Sequence, residues 1–164
     1  PFPNLPYLID GDFKLTESTA INKYIINRSG KTDLLGKSPK ETANVDSIIG
    51  VIYDIRQGFF PLVFDKEWEG KVAGLVEKFT PKLNDLAAFY GEKEFALGYL
   101  TLADFHVAEF SHYVEKITPE LYAKNEFLKR VRTAFESLPE IKGYYESATA
   151  TKGPFVPPTA AIQF

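Results

Sequence analysis

Glu17 and Ser18 are the residues with the clearest chemical potential, because they follow a strand-like run and begin a helix-like one. A helix N-terminus exposes backbone N–H groups and the positive end of the helix dipole, so it suits a carboxylate or a phosphate. Serine is also a favoured helix cap, and capping its own helix is the simpler explanation for Ser18. On residue chemistry alone, the simpler explanation is preferred.

Other chemistry-bearing residues form no recognisable site. His106 and His112 are six residues apart, which is not the i, i+3 or i+4 spacing of helical metal ligands, and the chain has no cysteine. We therefore expect no metal site and no catalytic residue among them. Thr101 and Asp104 have the spacing of a capping box, in which each side chain satisfies the other residue's backbone N–H. No nucleophile elbow, phosphate-binding loop or dinucleotide fingerprint is present.

Composition narrows the function classes. The 164 residues are 45% hydrophobic and 25% charged, with a net charge of −3, and no basic cluster exists to neutralise nucleic-acid phosphates. We find no apolar run of the ~18 residues that a membrane span requires. The absence of cysteine and of a secretory leader fits a cytoplasmic protein. Since the chain lacks methionine, we expect it to be a processed protein or a piece of a longer one.

The elements around Glu17 include the only convincing strands. Residues 5–9 and 13–15 flank the turn signal Asp10-Gly11-Asp12, which predicts a hairpin. A two-stranded ribbon is marginal on its own, so we expect it to pair with strands from a preceding segment. Everything downstream is predicted to be helical, except for an irregular tail from Ala148 to Phe164.

Helical periodicity predicts a bundle. Its helices are expected at about residues 17–29, 39–60, 68–90 with a kink at Pro81, 102–114, 119–123, 127–136 and 139–146. The long second helix carries a stripe of small or polar residues: Ser47, Gly50, Asp54, Gln57 and Gly58. Glycine weakens a helix interior, so the spacing favours close approach of another backbone or of a ligand over loose tolerance.

Taken together, these segments resemble a glutathione S-transferase, and among its classes the mu class. The resemblance is carried by PFPNLPYLIDGDFKLTESTAI, by the LLGKSP linker, by the helix hairpin and by Thr101-x-x-Asp104 following Phe95-x-x-Gly98. It covers residues 2 to about 155, and its FPNLPYLIDG segment is the most specific part.

The resemblance implies a mostly α fold. It would be an all-helical C-terminal domain preceded by the β-hairpin and helix that end a thioredoxin-like α/β domain. The implied limits are residues 1–29 for the thioredoxin-like part, 30–38 for a linker and 39–164 for the helical domain. The hydroxyl that stabilises the glutathione thiolate in this family would come from a segment preceding Pro1, so no catalytic residue is expected in this chain.

It also implies a glutathione site, residue by residue. Pro6 stands at the family's cis-proline, and the backbone of Leu5 would pair with the cysteinyl part of glutathione, with Asn4 beside it. Ser18 would bind the γ-glutamyl carboxylate. Glu17 replaces the glutamine usual in the mu class, and its carboxylate could meet the γ-glutamyl ammonium.

Three further positions carry implied roles. Asp54 aligns with an acidic residue that reaches the same ammonium from the neighbouring subunit, and Phe2 with an aromatic residue that inserts between two helices of the partner. Phe64 falls in the electrophile site, where the mu class often has tyrosine. Because phenylalanine has no hydroxyl to donate, we expect weak activity toward epoxide-like substrates.

The function implied is conjugation of glutathione to apolar electrophiles by a cytoplasmic homodimer, with glutathione as substrate and no metal, nucleic acid or membrane. One alternative is a non-catalytic binding or scaffold subunit of the same family. Another is a natural truncation that keeps only the helical domain. Ser18 and Asp54 favour a working glutathione site, since a scaffold needs neither.

Overall fold

A computed structural model describes residues 2–147 and 159–162. The described elements are β1 Tyr7–Asp10, β2 Phe13–Thr16, α1 Ser18–Ser29, a 3-10 helix Thr32–Leu35, α2 Pro39–Phe59, a 3-10 helix Phe60–Phe64, α3 Trp68–Tyr90, α4 Leu102–Ile117, α5 Pro119–Lys124, α6 Glu126–Glu136 and α7 Pro139–Tyr145. The predicted mostly α fold class is confirmed. The chain divides into two compact units, residues 1–43 and 44–164, while the domain limits at 29 and 38 stay predictions.

In the first unit a hairpin leads into α1. Strands β1 and β2 are antiparallel, with Tyr7 opposite Thr16, and Gly11 has a φ of +59° at the turn. Strand β1 begins two residues later than predicted, because Pro6 has no N–H for a strand ladder. Within the described residues the sheet has two strands, so pairing with a further strand stays a prediction.

The hairpin is tied to α1 through Asp10. The Tyr24 hydroxyl donates a 2.6 Å hydrogen bond to Asp10 Oδ2, and Arg28 Nε lies 3.4 Å from the same oxygen. These two partners lower the pKa of the Asp10 carboxyl. The Tyr24 ring also lies 5.0 Å from the Phe13 ring, centroid to centroid. These contacts hold the second half of α1 against the hairpin.

The second unit is built on apolar helix faces. Helix α2 buries Val45, Ile48, Ile49, Ile52 and Ile55, which is the apolar face predicted from periodicity. Helix α3 buries Phe79, Leu83, Leu86 and Tyr90 and is continuous through Pro81, where the kink stays a prediction. The predicted break between α2 and α3 is instead a 3-10 helix. Its Leu62 packs with Ile117 and Ile162 in a small apolar cluster.

A buried carboxylate joins α3 to the start of α4. Asp104 is fully buried and accepts hydrogen bonds from the backbone N–H groups of Ala96 (2.8 Å) and Thr101 (2.7 Å). It also accepts from the hydroxyls of Thr101 (2.8 Å) and Tyr90 (2.9 Å). The predicted capping box is present. Asp104 thus stabilises both the connection between α3 and α4 and the N-terminus of α4.

The two glycines of the small-residue stripe differ in their surroundings. A Cβ on Gly58 would lie 2.3 Å from the Phe79 ring, so close packing of α3 explains this glycine. A Cβ on Gly50 would meet nothing within 4 Å among the described atoms. The expected close approach is therefore found at Gly58 and within the chain itself.

Gly58→Ala should lower the free energy of unfolding by about 1–3 kcal/mol, since the added methyl overlaps the Phe79 ring. Gly50→Ala is the matched control on the same helix. It should raise stability by up to ~1 kcal/mol, because alanine favours the helix and the space is open. Urea denaturation of both variants measures the effect. Equal shifts in one direction would contradict the packing role of Gly58.

The sequence analysis found no apolar run long enough for a membrane span. One segment nevertheless meets the criteria of length and composition for such a span. It is residues 39–64, with a mean hydropathy of 1.3 over its best 18 residues. The core helix of a soluble domain meets the same criterion, and five residues of α2 are buried in the protein. This feature is weak evidence for a membrane span.

Candidate functional site

In the first unit, Asn4 links the loop before β1 to the start of α1. Its Nδ2 donates to Glu17 Oε1 at 3.1 Å, and its Oδ1 accepts the Leu5 backbone N–H at 2.9 Å. The Leu5–Pro6 peptide bond is cis, and the Leu5 side chain is 78% exposed. The predicted residues Asn4, Leu5, Pro6 and Glu17 are therefore brought together. The Leu5 N–H that was expected to face a ligand is bonded to Asn4 here.

The start of α1 differs from the simple capping arrangement. Glu17 is the N-cap residue, Ser18 is the first residue of the helix, and no side chain accepts a hydrogen bond as a cap. The first bond of the helix runs from the Ile21 N–H to the Glu17 carbonyl at 2.9 Å. The N–H groups of residues 18–20 precede that bond and have no acceptor within the helix. Ser18 is exposed, so its side chain lies at the surface at this end of the helix.

The backbone is unusual at Glu17, which has a φ of +71° and is the one non-glycine residue with positive φ in the described chain. Such a conformation is costly for a side chain with a Cβ and tends to be kept where it positions functional groups. The geometry holds the Glu17 carboxylate on Asn4 while presenting Ser18 at the helix end. Sequence reasoning could not anticipate this torsion.

An open cavity of about 810 Å³ lies on the hairpin side of the same unit. It is lined by Phe2, Pro3, Asn4, Leu5, Tyr7, Ile9, Lys14, Leu15 and Thr16. Glu17 and Ser18 lie outside this lining, which includes Thr16, the residue directly before Glu17. Phe2, predicted as a contact to a partner subunit, is 76% exposed at its edge.

Asp54 belongs to the second unit, where it is exposed on α2. Its Oδ2 lies 2.7 Å from the Lys82 ammonium of α3. Sequence analysis missed Lys82, because its pairing depends on how α2 and α3 cross. The carboxylate expected to meet the ammonium of glutathione therefore already has a cation beside it.

An exposed patch on α2 and the 3-10 helix that follows it carries aromatic and polar groups. Tyr53, Gln57 and Phe60 follow one another at i, i+4 and i+7, and the Gln57 side-chain amide donates to the Tyr53 hydroxyl. Phe64, the predicted electrophile-site residue, is 46% exposed, and its ring lies 5.6 Å from that of Phe60 in an edge-to-face arrangement. This set, Tyr53, Gln57, Phe60 and Phe64, is called the aromatic face below.

The described part of the tail reaches the segment that carries Phe64. The N–H groups of Ala161 and Ile162 donate to the Val63 carbonyl at 2.7 and 3.3 Å. Residues 148–158, 163 and 164 of the predicted irregular tail lie outside the described residues. Residues 159–162 therefore fasten the tail beside the aromatic face.

Both histidines lie on α4 and are half-buried. The Nε2 atom of His106 is buried and has no hydrogen-bond partner within the described chain, and burial lowers the pKa of this imidazole. His112 lies 3.1 Å from Glu136, and burial lowers its pKa also. In residues 2–147 and 159–162, no group of three or more His, Cys, Asp or Glu side chains could hold a metal ion.

Comparison with known proteins matches both parts of the chain. The family model for the glutathione S-transferase N-terminal domain matches residues 1–27, and the model for the glutathione S-transferase C-terminal domain matches residues 53–148. The second match alone covers more than half of the chain.

Individual relatives agree with the family models. A class-mu 26 kDa glutathione S-transferase isozyme of Schistosoma mansoni is 36% identical over 156 residues, covering 93% of this chain and 69% of the relative. Glutathione S-transferase 2 of Gallus gallus is 32% identical over 154 residues, with the same coverage. The crystal structure of the glutathione S-transferase Blo t 8 has a TM-score of 0.85 and 31% identity, covering 99% of this chain and 77% of that one. The chain therefore belongs to the glutathione S-transferase family and is mu-like within it.

Proposed function

We propose that the chain binds glutathione and serves in the conjugation of its thiolate to an apolar electrophile, within a cytoplasmic homodimer. The observation that carries this proposal is the start of α1, where an exposed Ser18 hydroxyl and uncapped N–H groups stand beside a loop held by Asn4. Such a helix end binds a carboxylate through charge-assisted hydrogen bonds. Glutathione is the substrate of the family, and dimers are typical of it.

Each predicted residue has a role in the proposal. Ser18 binds the γ-glutamyl carboxylate, and the Leu5 backbone pairs with the cysteinyl part once its N–H leaves Asn4. Glu17 lies one residue from Ser18 and meets the γ-glutamyl ammonium. Pro6 sets the direction of the Leu5 carbonyl.

Three further residues supply the remaining groups: Asp54 and Phe64 belong to the second unit, and Phe2 belongs to the first. Asp54 reaches the same ammonium in the neighbouring subunit, and Phe2 inserts into the partner to form the dimer. The electrophile lies against Phe64, whose exposed ring provides an apolar wall. No residue of this chain is assigned to ionising the glutathione thiol.

A non-catalytic binding or scaffold subunit is the second candidate. The observation that favours it is the 2.7 Å pair of Asp54 and Lys82, because a carboxylate that already has a cation gains less from a ligand ammonium. Binding of glutathione without turnover is the result expected of such a subunit.

Calorimetric titration of the protein with glutathione, followed by an assay with a chlorodinitrobenzene, tests the two candidates. Cysteinylglycine, which lacks the γ-glutamyl group, is the matched ligand control. We expect it to bind at least about tenfold more weakly, since it loses the charge-assisted bonds at the helix end. Equal affinity for the two peptides, or no binding of either, would contradict the proposed site.

A further inference from the structure

Lys82, in the second half of α3, places its ammonium on the carboxylate of Asp54 in α2. The Lys82 Nζ atom lies 2.7 Å from Asp54 Oδ2, which is the distance of a charge-assisted hydrogen bond. The Lys82 and Asp54 side chains are 41% and 61% exposed, so water reaches both partners. Ion pairs exposed in this way contribute little free energy. A competing cation can therefore open the pair at a small cost.

Lys82 and glutathione present the same chemical group to Asp54. The lysine side chain ends in a primary ammonium, and the amino group of the γ-glutamyl part is also a primary ammonium at neutral pH. A carboxylate has lone pairs for more than one donor, but two ammonium groups on it would repel each other. The ligand ammonium and Lys82 therefore compete for Asp54. The Glu17 carboxylate differs, because its described partner is the neutral amide of Asn4.

We propose that Lys82 determines the affinity for glutathione by competing with the γ-glutamyl ammonium for the Asp54 carboxylate. This inference rests on the proposed function, in which Asp54 serves the glutathione site of the neighbouring subunit. Lys82 acts through Asp54 and contacts neither the thiol nor the electrophile, so it is a positioning residue and not a catalytic one.

The strength of an exposed ion pair sets the size of the effect. The apparent affinity of a ligand falls in proportion to the fraction of protein whose binding group is free. The paired state of an exposed ion pair is favoured over the open state by at most about fivefold. Lys82 is attached to α3, so it remains within reach of Asp54 at every ligand concentration. We expect Lys82 to weaken glutathione binding by about two- to sixfold.

Lys82→Gln is the principal test, because glutamine removes the charge and keeps a polar side chain. Calorimetric titration with glutathione should show binding that is tighter by about two- to sixfold. Glutathione has a net negative charge at neutral pH, so loss of a nearby cation would by itself weaken binding, and the sign of the change is decisive. Lys78→Gln, one turn earlier on α3, is the matched control for that long-range effect and should not tighten binding.

A ligand control and a second background show whether the effect passes through the two ammonium groups. Glutaryl-cysteinylglycine is glutathione with hydrogen in place of the amino group, so Lys82→Gln should not tighten its binding. In Asp54→Asn protein the carboxylate is already absent, and adding Lys82→Gln should give no gain in glutathione affinity. This double-variant cycle isolates the coupling between Lys82 and Asp54. Circular dichroism checks that each variant folds.

Lys82→Arg and a kinetic measurement complete the test. Arginine keeps a cation that pairs with carboxylates, so this variant should bind glutathione no more tightly than wild type. With a chlorodinitrobenzene at saturation, Lys82→Gln should lower KM for glutathione and leave kcat unchanged, because Lys82 does not contact the reacting atoms. A lysine that only links α2 to α3 would change stability when replaced and leave KM as it was.

The outcomes separate the inference from the proposed function. If wild type binds glutathione and Lys82→Gln binds it equally or more weakly, the inference alone is overturned. Tighter binding of glutaryl-cysteinylglycine by the same factor also overturns it, as does an equal gain in the Asp54→Asn background, because the effect would then not depend on the two competing groups. If neither wild type nor Lys82→Gln binds glutathione, both the inference and the proposed function are overturned.

Discussion

Asp104→Ala should lower the free energy of unfolding by about 3–5 kcal/mol, the largest stability effect that we expect in this protein. The carboxylate is fully buried and accepts four hydrogen bonds at 2.7–2.9 Å. Its removal leaves the Tyr90 hydroxyl and the N–H groups of Ala96 and Thr101 without their acceptor, and opens a cavity. Urea denaturation followed by circular dichroism measures the loss.

Tyr90→Phe is the matched control, because it removes a single donor and keeps the carboxylate with its other three. We expect it to cost about 1 kcal/mol. The double variant should cost less than the sum of the two single variants, since Tyr90 has no carboxylate left to donate to. An Asp104→Ala variant within about 1 kcal/mol of wild type would contradict the organising role of Asp104.

The same residue should produce a pH dependence with a defined sign. Burial raises the pKa of the Asp104 carboxyl, against the opposing effect of the N–H groups of Ala96 and Thr101. Because the folded state keeps this proton to a higher pH than the unfolded chain does, stability should fall as pH rises from the ordinary carboxyl pKa to the raised one. Asp104→Asn, which cannot ionise, should lack that part of the slope in stability measured against pH.

The second large effect concerns ligand affinity. Ser18→Ala should weaken glutathione binding by about ten- to hundredfold, since it removes a hydrogen bond to a charged carboxylate. Ser18 makes no capping bond in α1, so the substitution should leave the helix intact. Calorimetric titration gives the affinity, and circular dichroism checks the helix.

Two control variants test whether the loss of affinity is specific to the Ser18 hydroxyl. Ser18→Thr keeps a hydroxyl and should retain most of the affinity. Ser29→Ala, at the other end of α1, removes a hydroxyl that bonds the Ile26 carbonyl and should leave affinity unchanged. Unaltered glutathione binding by Ser18→Ala would show that the α1 start is not the carboxylate site.

Sequence reasoning succeeded where the signal is local. The apolar face of α2 and the Thr101–Asp104 capping box depend on spacings within one helix, and both are present. The family itself was identified from short segments, with FPNLPYLIDG as the most specific one, and the comparisons confirm it.

The features that the sequence analysis missed share a physical cause. Each depends on how segments that are not neighbours in sequence are arranged in space. Lys82 pairs with Asp54 across two helices, 28 positions away in sequence. The positive φ of Glu17 reflects how the hairpin meets α1, and no pattern of residue types encodes it. The 3-10 helix of residues 60–64 follows α2 without a break, whereas helical periodicity had predicted no element between residues 60 and 68.

Helix α2 has one face that is buried in the core and another that is exposed to solvent. Its isoleucines are inside the protein, whereas Tyr53, Asp54 and Gln57 project from it into solvent. Substitutions at such exposed positions usually change stability by less than about 0.5 kcal/mol, far less than substitutions in a core. Substitutions can therefore accumulate at the outward positions while the inward residues continue to hold the fold.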